Sequence, residues 1–196
     1  MRKRQVGLFF GSFNPIHIGH LIIANHLVEH SPMDELWFVV TPQNPFKEKH
    51  SLLDNYSRLE MVHKAVEGYE KLRPSDIEFN LPQPNYTVNT LAYLEEKFPT
   101  TEFTLIMGED NLKSFHKWKN YEYILNNYII YVYPRISEGV VNKEFKEHRN
   151  IIKVDAPIIE LSATFIRNEI KNRHNVRPLL SPKVWQYIDQ MGFYLK

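Results

Sequence analysis

Short runs rich in strand-forming residues alternate with helical patterns along the whole chain, and this alternation constrains its fold more than any other feature. The runs lie at residues 6–10, 36–41, 75–79, 103–107, 128–133 and 151–154. Several are largely apolar along their length rather than alternating, which is typical of strands covered on both faces. Strand–helix alternation predicts βαβ units, and right-handed crossovers then give a doubly wound parallel sheet between two helical layers. We therefore predict an α/β fold, a three-layer sandwich with five or six parallel strands.

The helical segments carry start and stop signals. Apolar residues recur at three and four positions near residues 18–28, 59–66 and 88–95. Thr87 is placed as an N-cap of the third helix. Ser181 followed by Pro182 predicts the start of the last helix, and Gly192 predicts its end. The charged, weakly periodic segment 137–149 predicts a surface helix.

Composition excludes several classes of protein. The chain has 196 residues, and it shows no linker or internal repeat, so we expect one domain over residues 1–196. With 24 Lys and Arg against 23 Asp and Glu, it lacks the basic excess of a nucleic-acid-coating protein. It has no cysteine, which excludes a disulfide framework, a thiolate metal site and a catalytic thiol. No apolar run approaches the roughly 18–20 residues of a membrane span, and the apolar stretch after the basic start is too short for a signal peptide. We expect a cytoplasmic protein with no membrane or nucleic-acid partner.

The run GSFNPIHIGH at residues 11–20 follows the first predicted strand and opens the first predicted helix. A tight loop at a helix start directs backbone N–H groups at an anion, and the helix dipole favours negative charge there. Gly11 and Gly19 let backbone or ligand approach without a Cβ in the way. His17 and His20 are three residues apart and share one helix face, so both can donate to one polyphosphate. The run therefore predicts a phosphate-binding site.

This run resembles the H-x-G-H signature of the nucleotidyltransferase superfamily, and its residues are similar to those of bacterial nicotinate-nucleotide adenylyltransferases in particular. Class I aminoacyl-tRNA synthetases share a related motif, but they need far more chain and a Lys-rich second signature, which is absent. The run LSATFIR at residues 161–167 resembles the family's second phosphate motif, I-S-S-T-x-I-R. Ser162 and Thr164 can cap a helix there, and Arg167 one turn in can clamp phosphate oxygens. Ala163 departs from the pattern by removing one hydroxyl.

Three further runs are similar to the same family: PQNPFK at 42–47, YTVNTL at 86–91 and GEDNL at 108–112. Trp118 can stack on a flat heteroaromatic ring, or it is a core or lid residue. Asp110 binds a ribose hydroxyl or caps a helix. Lys47 neutralises phosphate or is only solvated. Thr87 contacts the substrate, caps its helix, or does both, and the backbone N–H groups at that helix start suit a ligand carboxylate.

The resemblance implies a set of site residues. His17 and His20 would be catalytic. ATP and its phosphates would be bound by Gly11, Ser12, Phe13, His17, His20, Ser162, Thr164 and Arg167. The nicotinate nucleotide would be bound by Asn14, Lys47, Thr87, Gly108, Asp110 and Trp118.

The implied activity is transfer of AMP from ATP to nicotinate mononucleotide, giving deamido-NAD and pyrophosphate. Mg²⁺ would be carried on the ATP phosphates, mostly with water ligands, and no protein metal site is expected. Two alternatives stay open. One is an enzyme with another acceptor, such as nicotinamide mononucleotide or pantetheine phosphate, or a cytidylyltransferase. The other is a non-catalytic nucleotide-binding module. The oligomeric state is also open, a homo-oligomer included.

Overall fold

A computed structural model describes residues 2–43, 52–136 and 140–195. In these ranges six strands form one parallel sheet in the order β3-β2-β1-β4-β5-β6. They are β1 (Arg4–Gly11), β2 (Glu35–Val40), β3 (Leu72–Ser75), β4 (Thr101–Gly108), β5 (Ile130–Tyr133) and β6 (Ile151–Lys153). The predicted parallel α/β sheet is confirmed. The single-domain expectation stays a prediction.

The helices of the described residues are α1 (Ile18–His30), α2 (Asn55–Val66), α3 (Thr87–Lys97), α4 (Glu109–Ser114), α5 (Tyr121–Asn127), α6 (Lys143–Glu147), α7 (Ala163–Lys171) and α8 (Pro182–Met191). Helix α8 begins after Ser181 and ends at Gly192, whose φ of +64° lies in the left-handed region, as predicted. Of segment 137–149, residues Lys143–Glu147 form a helix, and 137–139 lie outside the described residues. None of these helices is long and apolar enough to cross a membrane.

Two apolar cores, one on each face of the sheet, define the three layers. On one face, Phe9 and Val40 of the sheet pack with side chains of α1, α2, α7 and α8. On the other, Val6 and Leu105 pack with α3, α4, α5 and α6. Because strands β1 and β4 are covered on both faces, nearly all of their central residues are buried. This arrangement confirms the sandwich.

The third strand differs from its predicted position at 75–79. It spans Leu72–Ser75, and residues 76–79 form a turn in which the Phe79 amide donates to the Asp76 carbonyl (2.8 Å). Strand β3 is an edge strand, so Pro74, which has no N–H, is tolerated there. The apolar residues Ile77 and Phe79 suggested a strand, but they pack against the cores from a loop.

The sheet order places the ends of β1 and β4 side by side. These strands are neighbours in space, but the helices that follow them, α1 and α4, pack on opposite faces. A doubly wound sheet opens a crevice at the carboxyl ends of its strands where the strand order reverses. The predicted phosphate loop follows β1 and therefore faces this crevice.

Candidate active site

A pocket of about 540 Å³ occupies the crevice. It is wide enough for a nucleotide-sized ligand. It takes its lining from the loop after β1, the starts of α1, α3 and α7, the residues after β4, and the residues after β5. Of the predicted site residues, it brings together Gly11, Ser12, Phe13, Asn14, His17, His20, Thr87, Asp110, Trp118, Ser162, Thr164 and Arg167. Lys47 lies outside the described residues.

The loop after β1 is shaped by a buried phenylalanine. Phe13 has a φ of +45°, a left-handed conformation uncommon for a side chain of this size. Its ring packs edge-on against Phe38 (5.4 Å between centroids) and His20 (5.2 Å). A Cβ on Gly11 would lie 2.8 Å from that ring, so the close approach requires glycine. The Phe13 ring belongs to the core. If Phe13 contacts phosphate, it therefore does so through its backbone.

The two histidines stack on each other at the start of α1. Their centroids are 3.7 Å apart, and His20 Nδ1 accepts from the His17 backbone N–H (3.3 Å). A neutral His20 with this contact therefore carries its proton on Nε2. His17 is 5% exposed, and burial together with Arg135 lowers its pKa to about 4. His17 is therefore neutral near pH 7 while the pocket holds no anion.

The start of α7 completes the side of the pocket that is predicted to bind phosphate, called the phosphate side below. Ser162 is the N-cap, and its Oγ accepts from the Phe165 backbone N–H (3.1 Å). Arg167 donates through Nη2 to Thr164 Oγ1 (3.2 Å) and through Nη1 to the Asn14 carbonyl (2.8 Å). The guanidinium thus joins the two predicted phosphate motifs across 153 residues of sequence. Ala163 lines the pocket without a hydroxyl.

The opposite end of the pocket lies at the start of α3. Tyr86 is the N-cap, so the prediction that Thr87 caps this helix is wrong; Thr87 is the first helical residue. The amides of the first turn of a helix have no acceptor inside the helix, so those of Thr87 and Val88 suit an anion. Trp118 is half-buried and lines the same pocket, with its ring edge-on to Phe115 (5.4 Å). One side of the Trp118 ring is thereby fixed by protein.

Asp110 and Gly108 are linked through an arginine. The N-cap of α4 is Gly108, so Asp110 does not cap this helix; it stands in the first turn, with Oδ1 4.0 Å from Arg135 Nε. A Cβ on Gly108 would lie 2.3 Å from Asp110 Oδ1 and 2.8 Å from Arg135 Cδ. Gly108 does not line the pocket; it makes room for these two side chains.

Asn14 is 1% exposed, and the protein itself uses both of its oxygens. Its carbonyl accepts from Arg167, and its Oδ1 accepts from the Tyr194 hydroxyl (2.8 Å) and the Leu53 backbone N–H (3.3 Å). Asn14 lines the pocket, but these oxygens hold the loop. Its predicted contact with the nicotinate nucleotide remains a prediction.

Sequence reasoning missed several lining residues. Arg135 follows the carboxyl end of β5 by two residues, and that position was the available signal. Glu78 is buried in the pocket wall, accepts from Thr90 Oγ1 (2.6 Å), and has its pKa raised by burial. No local pattern marks Glu78. It falls within residues 75–79, which were predicted to form the third strand, whereas residues 76–79 form a turn. The pocket cations Arg135, Arg167 and Lys119 outnumber its carboxylates, Glu78 and Asp110, which suits a polyanion.

The described residues contain no group of three or more histidine, aspartate or glutamate side chains placed to hold a metal ion. The donors of the phosphate side are imidazole, guanidinium, hydroxyl and backbone N–H groups. This set fits phosphate oxygens.

The sheet is doubly wound, and two features meet at its switch point: a histidine-bearing loop and a second capped helix start. This combination is typical of a nucleotide-binding α/β protein.

The cytidylyltransferase-like family model matches residues 8–169. The chain is 68% identical to a probable nicotinate-nucleotide adenylyltransferase of Christiangramia forsetii, over 98% of this chain and 99% of that one. It is 62% identical to the protein of the same name from Flavobacterium psychrophilum, over 98% and 100% of the two chains. The chain therefore belongs to the cytidylyltransferase-like family.

A solved structure of distant sequence shares the fold. It is the Plasmodium falciparum nicotinic acid mononucleotide adenylyltransferase complexed with NaAD, at a TM-score of 0.83 and 17% identity over 97% of both chains. A second structure of that enzyme, complexed with APC, has a TM-score of 0.81 at 17% identity, again over 97% of both chains.

Proposed function

We propose that this protein transfers AMP from ATP to nicotinate mononucleotide, giving deamido-NAD and pyrophosphate. The observation that carries the proposal is the hydrogen bond from Arg167 to the Asn14 carbonyl, which brings the two predicted phosphate motifs together in one pocket. The same pocket is also lined by Thr87 at the start of α3 and by Trp118, and free backbone N–H groups beside an aromatic ring suit a flat anionic ring. The names of the relatives at 68% and 62% identity support the same acceptor.

The acceptor phosphate is the nucleophile. With a second pKa of about 6, it is largely dianionic near neutral pH and needs no strong general base. One of its oxygens bonds to the α-phosphorus of ATP, while the bond from that phosphorus to the α–β bridging oxygen breaks and pyrophosphate leaves with the electron pair. The protein contributes in-line positioning and charge stabilisation.

Each phosphate-side residue has a role in this step. The Nε2–H of His20 donates to the α-phosphate as its charge builds. His17, Ser162, Thr164 and Arg167 hold the β- and γ-phosphates that leave. Neutral His17 offers a single N–H donor, and a bound triphosphate favours its protonation. Mg²⁺ would be carried on the phosphate oxygens, where it neutralises part of their charge.

Acceptor choice tests the proposal. The carboxylate of nicotinate accepts from the backbone N–H groups of α3, whereas the amide of nicotinamide places a donor against a donor. An unpaired buried polar group costs about 1–3 kcal/mol, and the lost charge-assisted bond adds to that, so we expect at least about 100-fold higher kcat/KM for the acid. Pyrophosphate release with Mg²⁺ and ATP is measured for nicotinate mononucleotide, nicotinamide mononucleotide and pantetheine phosphate.

Two variants refine the panel. Trp118→Ala weakens both pyridine acceptors through lost stacking and keeps the preference for the acid, while Trp118→Phe retains part of the stacking. Equal kcat/KM for the two pyridine acceptors in the unmodified protein contradicts the assigned ring pocket. Release with pantetheine phosphate alone, or with none of the three, contradicts the proposed acceptor.

A further inference from the structure

The loop after β1 holds an unfavourable backbone conformation between two anchored neighbours. Phe13, with its φ of +45°, lies between Ser12 and Asn14. A large side chain in the left-handed region persists only where its surroundings over-determine it. The contacts that fix Ser12 and Asn14 therefore decide where the phosphate-binding backbone lies.

Ser12 is held by a buried arginine. Arg58 is 0% exposed, and its Nη1 donates to the Ser12 carbonyl (2.7 Å) and to the Thr41 carbonyl (2.9 Å). Its Nη2 donates to Asn55 Oδ1 (2.7 Å). These partners are carbonyl and amide oxygens, so Arg58 ties the loop to the end of β2 and the start of α2.

Asn14 is held by a tyrosine from the far end of the chain. The Tyr194 hydroxyl donates to Asn14 Oδ1 (2.8 Å) across 180 residues of sequence. Burial raises the pKa of Tyr194, so the hydroxyl stays protonated and remains a donor at any ordinary pH. The Asn14 carbonyl accepts from Arg167, so the Tyr194 bond bears on the same residue that orients the phosphate-side guanidinium.

We propose that Tyr194 is a positioning residue for adenylyl transfer: its hydroxyl, acting through Asn14, holds the phosphate loop and the Arg167 guanidinium in fixed positions relative to each other. The role rests on the proposed function for its kinetic consequence. Tyr194 acts through Asn14, and Arg58 secures the other flank of Phe13.

Tyr194→Phe tests this role, because it removes one oxygen and keeps the ring. The net contribution of one buried hydrogen bond corresponds to about a tenfold effect, so we expect kcat to fall by about tenfold and the Kd for ATP to rise at least threefold. Titration calorimetry with ATP gives both the Kd and the fraction of molecules that bind. Tyr187→Phe is the matched control: its ring packs on Phe193 (5.5 Å), and within the described chain its hydroxyl makes no hydrogen bond.

The outcomes are separable. A lower kcat and weaker ATP binding at full binding stoichiometry, with the Tyr187→Phe variant unchanged, support the proposal. A kcat and Kd within twofold of the unmodified protein overturn it. So does a loss explained wholly by fewer binding-competent molecules, because Tyr194 would then only stabilise the fold. If the unmodified protein binds ATP but transfers nothing to nicotinate mononucleotide, the proposed function fails, and the ATP Kd of the variant still decides the positioning role.

Discussion

Gly19→Ala separates the geometry of the histidine pair from the stability of its helix. Gly19 lies in the first turn of α1, and a Cβ there would be 2.9 Å from Ile159 Cγ2 and 3.1 Å from His17 Nδ1. By helix propensity alone, alanine is favoured over glycine by about 1 kcal/mol. Overpacking costs about 1–3 kcal/mol, so the free energy of unfolding should change by between zero and a loss of about 2 kcal/mol.

The expected effect on rate is larger than the effect on stability. His17 stacks on His20 at 3.7 Å, so a ring displaced by the new methyl group also disturbs its partner. A misplacement of about 1 Å at a reacting centre can cost about 100-fold. We therefore expect kcat to fall by about 100-fold, with a fall in Tm of at most about 8 °C.

Pyrophosphate release and thermal unfolding measure the two effects. Asn25→Ala, at an exposed position of the same helix, is the control for helix propensity and should leave kcat unchanged. Ile159→Ala relieves one of the two close contacts but also removes side-chain packing on the core, so Gly19→Ala should cost less stability in the Ile159→Ala background than in the unmodified protein, while kcat stays low. A kcat within twofold of the unmodified protein in Gly19→Ala would refute the reasoning, as would full recovery of kcat in the double variant.

Three further predictions concern the phosphate side. His20→Ala removes a preorganised donor to the α-phosphate, so kcat should fall by about 10²–10³-fold in steady-state assays of the folded variant. Arg167→Lys keeps the charge, but a single ammonium cannot reproduce the planar fork that reaches both Thr164 and Asn14, so activity should be only partly retained and ATP should bind more weakly. Folded His17 binds a proton less readily than unfolded His17, so without ATP the free energy of unfolding should fall by about 3 kcal/mol between pH 6.5 and pH 4, and His17→Gln should lack this loss in denaturant titrations.

Each of these predictions has a contradicting result. Near-normal turnover of the folded His20→Ala variant would contradict the proposed role of His20 at the α-phosphate. Equal activity and equal ATP affinity in Arg167→Lys would show that the fork geometry is not needed. The same acid sensitivity in His17→Gln as in the unmodified protein would mean that other groups carry the pH dependence.

Local patterns were enough to predict which residues the fold brings together at the centre of the candidate site. The glycines and histidines of residues 11–20 and the cap at Ser162 are defined by neighbours a few positions away, and their helices form where predicted. The pattern failed where tertiary packing decided. Within residues 76–79, only Ile77 and Phe79 are apolar, and they pack on the cores from a turn. Helix α3 is capped by Tyr86 without a side-chain hydrogen bond, so composition gave no signal for its start.

The contacts that support the loop after β1 could not be predicted from sequence patterns. Arg58 looks like an ordinary helix cation, yet it is buried against the carbonyls of Ser12 and Thr41. Tyr194 meets Asn14 only because α8 returns the chain to the sheet beside the first loop. Such contacts depend on the completed topology, which spacing along the chain does not encode.

The long reach of these contacts has a consequence for how activity is acquired during folding. Two bonds to Asn14 come from residues 153 and 180 positions away in sequence, so they can close only after α7 and α8 have docked. Contacts of large sequence separation require the most chain entropy to be lost before they form. On refolding from denaturant, the helical circular dichroism signal and the burial of the β1–β2 core should therefore recover before catalytic activity. A chain that is still being synthesised should already contain the H-x-G-H loop but should not yet catalyse adenylyl transfer.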